Sequence, residues 1–280
     1  MLKKNSIIFI IMPMIAGILG LLFGWLRLHR APEIVFVDVG QGDCTLFRAG
    51  AQVLVDDVGP KTPTFDAGAA IVVPKLRELG WQPTLILLTH PDRDHVGGLS
   101  AVHAAFPAAA VAISEAFHDD PHMINQLNEA GIASDQVHWM GAHSTAQIGD
   151  FSLRIVCPPW YSGEDDNEAC AVVRLSHGPS SALLMGDAGF AEEGRLLPEG
   201  GWQSQVLKVG HHGSRYSSSP EWLAAVHPVF GIISCGKDND YGHPHKETLE
   251  RLAEANITPL RTDEMGTISF REGPNGFEQE

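Results

Sequence analysis

The segment THPDRDHVGG, Thr89–Gly98, places several possible metal ligands directly behind the apolar run TLILL. His90, Asp92, Asp94 and His95 fall within six residues. In a tight loop, residues two apart can turn to one side, so His90 with Asp92 could hold one ion. Asp94 and His95 could hold a second ion nearby, and two such metals bridge a water molecule and lower its pKa towards neutral. A solvated turn that caps the next helix is the simpler alternative, but it leaves four ligand-type side chains at one strand end unexplained.

Three further polar clusters also follow apolar runs. In LLMGDAG, Asp187 could bridge two metals, although an aspartate between glycines is more often an ordinary turn residue. In LKVGHHGSRYSSSPEW, either His211 or His212 could supply a ligand, and we slightly favour His211 because it lies nearer the strand. In DNDYGHPHKE, His243 could act as a general acid or contact a phosphate, whereas His245 is expected at the start of the next helix.

Polar groups beside the histidine pair could bind a phosphate. Ser219 before Pro220 is typical of a helix N-cap followed by proline at the first helical position. A helix N-terminus can also receive a phosphate, although capping alone is the favoured interpretation of the serines. Lys237 and Lys246 lie near the same loops, and ordinary solvated charge is the alternative for every cation here. The candidate phosphate contacts are Lys208, Ser214, Arg215, Ser217 and Ser218.

These clusters require a scaffold that brings strand ends together. EIVFVDVG and TLFRAGAQVLVDDVG predict a strand meander, because apolar residues alternate or run on between glycines. Helices are predicted for AAIVVPKLRELG, VGGLSAVHAAF, HMINQLNEAG, AEEGRLL, PEWLAAVH and KETLERLAEAN. Strands are predicted for TLILLTH, AAVAIS, FSLRIVCP, CAVVRLSH, SALLMGD, SQVLKVGHH, VFGIISCG and TISFRE. Two successive rounds of strands and helices predict a layered α/β domain over residues 31–280, with its chemistry where the strands end.

The first thirty residues have a different character. Ile7 to Leu26 contains no charged residue, with Lys3 and Lys4 before it and Arg27 directly after it. This length can cross a bilayer as a helix, and no small-residue cleavage site follows it. We therefore expect residues 1–30 to form an uncleaved single-span membrane anchor rather than a cleaved signal. The slight charge bias across the span favours placement of the following domain outside the cytoplasm.

Charge and cysteine content restrict the partners. The formal net charge is −15, and every acidic residue lies after residue 30, so the overall surface is unfavourable for a long nucleic acid. Bound metal ions can nevertheless dominate the field of a local site. Cys44, Cys157, Cys170 and Cys235 form no CxxC pair, so we expect buried apolar side chains rather than a zinc knuckle or a disulfide framework.

Several motifs together resemble the hydrolase domain of ComEC-type DNA-uptake proteins, a branch of the metallo-β-lactamase superfamily. They are FVDVGQGD, LVD, HPDRDHVGG, LLMGDAG, LKVGHHGSRYSSS and YGHPH, in that order over residues 33–272. The resemblance implies an αββα sandwich with two divalent metal ions and hydrolase activity. It implies that His90 and Asp92 hold one metal, and that Asp94, His95 and one histidine of the pair hold the other. Asp187 would bridge the ions and a hydroxide, while Asp38 and Asp43 would support the loop.

The chain also departs from the wider family pattern. Asp92 stands where the superfamily motif HxHxDH has a histidine, and Asn167 in DNEACAVVRL stands where a mid-chain histidine is usual. Carboxylate in place of imidazole makes the first site richer in oxygen, which favours Mn²⁺ or Mg²⁺, with Zn²⁺ still suited to the Asp94–His95 pair. The long channel portion of ComEC-type proteins has no counterpart here, so we do not expect this chain alone to form a DNA channel.

Three functions are compatible with these features. The leading hypothesis is a membrane-anchored, dinuclear phosphodiesterase or nuclease that uses a metal-bridging hydroxide, with Asp94 and His243 as catalytic residues and DNA as a candidate substrate. The second hypothesis keeps the site but replaces the substrate with a small choline-phosphate or nucleotide ester, which suits the acidic surface better. The third is a non-catalytic binding or scaffold partner of a membrane DNA-uptake machine.

Overall fold

A computed structural model describes residues 30–158 and 166–280, which form two stacked β-sheets between two layers of helices. The first sheet, in the order β15-β14-β1-β2-β3-β4-β5-β6, contains eight strands among these residues. They are β1 (Glu33–Phe36), β2 (Thr45–Ala49), β3 (Gln52–Asp56), β4 (Leu85–Leu88), β5 (Ala110–Ser114), β6 (Val137–Met140), β14 (Ile268–Gly273) and β15 (Gly276–Gln279). The predicted strand meander corresponds to β1, β2 and β3.

The second sheet has the order β13-β12-β11-β10-β9-β8-β7, again counted over the described ranges. Its strands are β7 (His143–Ile148), β8 (Phe151–Val156), β9 (Val172–His177), β10 (Ser180–Leu184), β11 (Val206–Lys208), β12 (Phe230–Ile233) and β13 (Thr258–Arg261). In each sheet four consecutive strands run parallel, β3 to β6 in the first and β10 to β13 in the second. Their carboxyl ends therefore share an edge, from which the loops with the predicted ligands emerge.

Helices cover the outer face of each sheet. Next to the first sheet lie α1 (Val73–Leu79), α2 (Arg93–Val96), α3 (Leu99–Ala105) and α4 (Pro121–Ala130). Next to the second lie α5 (Phe190–Leu196), α6 (Pro220–Val226), α7 (Lys246–Glu254) and α8 (Thr262–Met265). As predicted, α1 ends at Gly80, which adopts the left-handed conformation, and the Ser219 side chain caps α6 by accepting from Trp222 N at 3.2 Å.

The apolar side chains separate into three buried layers, which define the sandwich. The middle layer joins the two sheets, and there the Phe47 and Phe151 rings meet at 4.8 Å. One outer layer packs Leu76 and Leu99 against the first sheet, and the other packs Trp202 and Trp222 against the second. This is the helix–sheet–sheet–helix arrangement expected from the sequence. The four cysteines are buried and free, also as expected.

The predicted anchor, residues 1–30, lies outside the described residues except for Arg30. Within the described part of the chain, no helix is long and apolar enough to span a membrane.

Candidate metal centre

Five loops at one edge of the sandwich bring acids and histidines together. His90 follows β4, and the helical turn α2 begins three residues later and carries Asp94 and His95. Asp187 follows β10, and His212 lies in the turn after β11. The remaining two loops contribute Asp43, between β1 and β2, and Asp57, directly after β3. His90, His95, Asp187, His212, Asp43 and Asp57 are all buried.

Glycine allows the loop between β1 and β2 to approach the HPDRDH segment. Gly42 has φ +141°, and a Cβ atom there would collide with the Asp94 carbonyl oxygen. The next residue, Asp43, donates its backbone N–H to that same carbonyl at 3.1 Å. The close approach places the Asp43 carboxylate within the cluster, with Oδ1 3.4 Å from His212 Nδ1. Any larger residue at position 42 would push this loop away from the site.

Asp57 fixes the orientation of His95. Its Oδ2 lies 2.7 Å from His95 Nδ1, while Oδ1 accepts the backbone N–H of Thr89 at 2.9 Å. Because a carboxylate only accepts hydrogen bonds, Nδ1 of His95 must carry the proton. The other ring nitrogen, Nε2, therefore points to Asp187 Oδ1 at 3.2 Å. The sequence analysis missed Asp57. The signal was present, because in VLVDDVG, as in LLMGDAG, an aspartate follows an apolar strand.

The tautomers of His90 and His212 are fixed in the same way. Thr89 donates its hydroxyl to Asp57 Oδ2 at 2.8 Å, so that hydroxyl accepts from His90 Nδ1 at 2.9 Å. His212 Nδ1 donates to the Ser234 carbonyl at 2.9 Å. In the neutral form of each ring, all three histidines then offer the lone pair of Nε2. Such support of Nδ1 by an acceptor is the usual arrangement behind metal-bound histidines.

The inward-facing atoms lack hydrogen-bond partners. His90 Nε2, His95 Nε2, His212 Nε2 and Asp187 Oδ1 are buried and accept or donate no hydrogen bond within the described residues. Ligand atoms of His90, His95 and Asp187 lie within 4.8 Å of one another, and so do those of Asp94, His95 and His212. Buried polar atoms are normally satisfied. The donor set, imidazole nitrogen with carboxylate oxygen, therefore fits divalent metal ions.

Mutual electrostatics in the cluster shift the pKa values strongly. Burial alone would lower the pKa of His95 and His212, but the neighbouring carboxylates, above all Asp187, outweigh it and raise both pKa values well above the ordinary range. Burial would raise the pKa of Asp187, yet His212 and His95 hold it well below its ordinary value. Burial would raise the pKa of Asp94, but the neighbouring His212 and His95 together outweigh that effect and lower it. The carboxylates are thus held ionised and require positive charge beside them.

Asp92 and His211 lie at the rim of the cluster. The Asp92 side chain is 46% exposed, with Oδ2 3.6 Å from His90 Nε2. His211 Nε2 lies 3.8 Å from Asp187 Oδ2, and its side chain is 33% exposed, whereas that of His212 is only 2% exposed. His212 Nε2 also approaches Asp94 and Asp187, at 3.3 and 3.4 Å. The geometry therefore favours His212, whereas the sequence analysis leaned towards His211.

The candidate phosphate contacts mostly have partners inside the protein. Lys208 is buried, forms an ion pair with Asp43 and donates to the Gly186 carbonyl at 2.9 Å. Ser217 donates its hydroxyl to the Gly210 carbonyl at 2.7 Å, and the backbone N–H of Ser218 donates to Glu193. Ser214 is buried as well. These internal partners separate the four residues from an incoming phosphate.

Arg215 differs from the other candidate phosphate contacts because it faces solvent. Its side chain is 45% exposed, and Nη1 lies 3.5 Å from Glu247 Oε1. It is therefore the one member of that predicted set whose charge reaches the surface in the described structure.

His243 faces the histidine cluster from the loop after β12. Its ring centroid lies 5.5 Å from that of His211 and 6.0 Å from that of His212. Burial, followed by the charges of those two histidines, lowers the pKa of His243 to about 4. Tyr241 stacks on the ring with centroids 5.8 Å apart and remains 66% exposed. His243 is therefore neutral at neutral pH, which limits its use as a proton donor.

Asp38 and Asn167 lie further out. Asp38 accepts from the Gly40 N–H at 3.1 Å and donates its own N–H to Thr267, so it holds the shape of the loop that carries Asp43. Asn167 begins a short helical turn, Asn167–Ala169. Burial, followed by the charge of Asp92, raises the pKa of the preceding residue, Asp166.

Comparison with known proteins identifies the family. A family model described as the metallo-beta-lactamase superfamily matches residues 37–237. The chain belongs to this superfamily. Superfamily members are generally metal-dependent hydrolases, and the fold implies binding of divalent metal, in agreement with the candidate ligand clusters.

The resemblance to DNA-uptake proteins is also confirmed. The chain is 31% identical over 274 residues to ComE operon protein 3 of Bacillus subtilis, covering 91% of this chain and 35% of that protein. It is 31% identical over 242 residues to competence protein ComA of Neisseria gonorrhoeae, covering 85% and 32%. Recombination protein 2 of Haemophilus influenzae is 30% identical over 220 residues, covering 79% and 26%. The chain thus spans about a third or less of the length of these relatives.

Solved structures share the fold at low sequence identity. YhfI of Bacillus subtilis, a metallo-beta-lactamase fold protein, aligns with a TM-score of 0.55 at 14% identity, covering 83% of this chain and 96% of that one. CmlA of Streptomyces venezuelae, a diiron β-hydroxylase, aligns with a TM-score of 0.60 at 14% identity, covering 86% and 54%. These likenesses support the fold and carry no assignment of activity.

Proposed function

We propose that this chain is a metal-dependent phosphodiesterase that acts on nucleic acid, with DNA as the first candidate substrate. One observation carries the proposal: three buried histidines present Nε2 towards Asp187, in a space that no hydrogen-bond donor of the described residues fills. A scaffold protein would gain nothing from burying these unpaired atoms, whose desolvation is costly.

Distances support the proposed ligand sets: Asp94, His95 and His212 form one cluster of ligand atoms, and Asp92 lies 3.6 Å from His90 Nε2 at the rim. His90 and Asp92 would hold one ion, and Asp94, His95 and His212 would hold the other, with Asp187 shared between them. His211 remains available at the rim. When bound, the two ions would polarise a phosphate and lower the pKa of a water molecule between them. The rim carboxylate and the absence of a mid-chain histidine favour Mn²⁺, with Zn²⁺ or Mg²⁺ as alternatives.

Protein groups around the ions would contribute orientation and charge balance. Asp57, the Thr89 hydroxyl and the Ser234 carbonyl keep the three Nε2 atoms directed inward. Lys208 neutralises Asp43 within the protein, which leaves the remaining carboxylates for the metals. His243, neutral at neutral pH, would donate its N–H to a substrate phosphate, and its other ring nitrogen could take up a proton.

A nucleic-acid substrate is supported by the rim of the site and by the relatives. Tyr216 and Tyr241 are 68% and 66% exposed, and exposed aromatic rings can stack on unpaired bases. Arg215 supplies an exposed cation next to Tyr216. One of the relatives described above is named a competence protein, which supports a link to DNA uptake. The net charge of −15 favours a small phosphoester instead, so that substrate remains the second candidate.

We further propose that residues 1–30 anchor the hydrolase to a membrane, outside the cytoplasm, where a DNA-uptake machine could be its partner. The uncharged stretch Ile7 to Leu26 supports the anchor, and the name of the competence relative supports the partner. It can be tested separately, by membrane fractionation of the full chain and protease access from either side.

An activity assay with the Asp187→Asn variant tests the function. We expect the full chain with Mn²⁺ to cleave single-stranded DNA, and the substitution to lower the rate by more than about 100-fold, because a shared metal ligand is lost. Asp150→Asn, which removes an exposed carboxylate from the turn between β7 and β8, is the matched control and should retain activity. Equal inactivity of the parent and both variants on DNA, RNA and simple phosphodiesters would refute the proposal. Cleavage restricted to small choline-phosphate or nucleotide esters would select the second candidate.

A further inference from the structure

A second charged cavity lies at the opposite edge of the first sheet. It has a volume of about 340 Å³ and is lined by Arg30, Ala31, Glu33, Arg48 and Arg271. Strands β1 and β2 are antiparallel, and Arg48 on β2 pairs with Glu33, the first residue of β1. Arg48 therefore lies beside the start of β1. The candidate metal centre follows the other end of β1. The two sites are therefore separated by the length of the strand.

Arg48 is an unusual residue in this position because it is buried. Its side chain is only 7% exposed. Nη2 donates to the Ala31 carbonyl at 2.8 Å and lies 3.6 Å from Glu33 Oε2. Nε and Nη1 are buried and find no acceptor among the residues that the structure describes. Two of the guanidinium donors in a lining residue are thus left without a partner, which is costly for a charged group.

The surrounding charges leave an excess of positive charge. Arg30 and Arg271 line the same cavity, and Glu33 is the carboxylate in its lining. Arg271 is 54% exposed and also pairs with Glu280 at 2.7 Å. Burial lowers the pKa of Arg48, Glu33 opposes that effect, and Arg30 and Arg271 lower it further, so both cations act on the buried guanidinium. A guanidinium nevertheless stays protonated at any ordinary pH.

We propose that this arginine cavity binds one phosphate group. Nε and Nη1 of Arg48 each keep a charged N–H without a partner among the described residues, and a phosphate oxygen could accept either one. Arg30 and Arg271 would complete the charge balance from the exposed side. The Trp81 ring lies under the Arg48 guanidinium at 5.3 Å and keeps its plane in place.

Two sources of phosphate fit this chemistry. Arg30 directly follows residues 1–29, so the cavity lies where the proposed membrane anchor joins the domain, and an anionic phospholipid headgroup could reach it. A free phosphate or phosphate monoester could enter from solution, because the Arg271 side of the cavity is exposed. The inference stands independently of the proposed hydrolase activity.

Calorimetric titration of the full chain in a non-ionic detergent tests the cavity. The probes are inorganic phosphate and monomeric dihexanoyl-phosphatidylglycerol, with dihexanoyl-phosphatidylcholine as the zwitterionic reference. The test variant combines Arg30→Gln with Arg271→Gln, which are exposed positions and should not disturb folding. The control combines Lys75→Gln with Arg77→Gln on α1, which removes the same charge from the surface outside the cavity. All samples carry the same metal content, since a metal-loaded site could also take up phosphate.

We expect saturable phosphate binding that weakens about tenfold or more in the test variant and stays unchanged in the control. Arg48→Lys, which keeps the charge but removes the Nε and Nη1 donors, should weaken binding similarly. Tighter binding of the phosphatidylglycerol than of phosphate or phosphatidylcholine would identify a lipid headgroup, and preference for phosphate would identify a free anion. No saturable binding, or equal affinities in the parent, test and control proteins, would overturn the inference. Hydrolase activity should be the same in all of them, so failure here is distinguishable from failure of the proposed function.

Discussion

The two edges of the first sheet differ in the kind of buried atom that lacks a hydrogen-bond partner. At the edge with His90, His95 and Asp187, buried lone pairs converge and the donors around them are already used. At the edge with Arg48, buried N–H donors remain without acceptors among the described residues. The difference shows that unsatisfied atoms, rather than buried charge itself, indicate what each edge binds. The edge with the histidines is suited to bind cations, and the edge with Arg48 is suited to bind an anion.

The largest effect that separates the two edges is expected from Asp57→Asn. Asp57 holds the Nδ1 proton of His95, so the amide should loosen the ring and weaken Mn²⁺ binding by about 10- to 100-fold. Phosphate binding in the arginine cavity should not change. Isothermal titration of metal-stripped protein with Mn²⁺ measures the first effect, and titration with phosphate measures the second.

Asp56→Asn is the matched control for this experiment. Asp56 is the adjacent buried carboxyl, and burial, with Asp57 and Asp43 next, raises its pKa well above the ordinary value. A carboxyl that stays protonated resembles an amide in charge, so this variant should bind Mn²⁺ nearly as well as the parent. Equal weakening by both substitutions would show that general disturbance of the loop, and not support of His95, is responsible.

An effect on stability, with no change in binding at either edge, is expected at Glu193, a buried carboxyl whose oxygens accept hydrogen bonds from the protein itself. Its carboxylate accepts the backbone N–H groups of Ser218 and Ser219, yet burial raises its pKa to about 7. In the unfolded chain the same group ionises near its ordinary value of 4.5. Between these values the folded state binds more protons, so stability should fall as pH rises from about 4.5 to 7, by about 3 kcal/mol.

Denaturant unfolding across this pH range measures the Glu193 effect. Glu193→Gln should flatten the slope of stability against pH, whereas Glu221→Gln, on the exposed surface of α6, should leave it unchanged. Neither variant should alter the affinity for Mn²⁺ or for phosphate. A slope that survives Glu193→Gln would assign the titration to another buried group and contradict this explanation.

The architecture could be predicted wherever strands were apolar. The run LILL and the strand that precedes Asp187 were recognised because their side chains are almost all buried. Strand β7 was missed because HSTAQI is mostly polar and partly exposed, and its place is set by pairing with β8. Strands β6, β13 and β15 are only four residues long and were missed as well. In each case, pairing with a neighbour defines the strand more than its own composition does.

The candidate site could be predicted as a set of residues, but the sequence did not indicate which atoms face inward. His211 and His212 lie in a turn where both have positive φ, so distance from the strand did not identify the buried ring. The phosphate role foreseen for the serines overlooked Glu193, which lies 25 residues before Ser218 in the sequence and takes its N–H group. The arginine cavity could not be predicted either, because it is formed by segments that are distant in the sequence. Sheet pairing brings Arg48 and Arg271 to Glu33.

The central claim is that the buried histidine and carboxylate cluster holds two divalent ions. Elemental analysis of the purified full chain, after metal removal and reloading with Mn²⁺ or Zn²⁺ and extensive dialysis, tests it most directly. We predict two ions per chain in the parent protein and fewer than two in Asp187→Asn. Retention of no ion, or of a single ion, by the correctly folded parent protein would contradict the account.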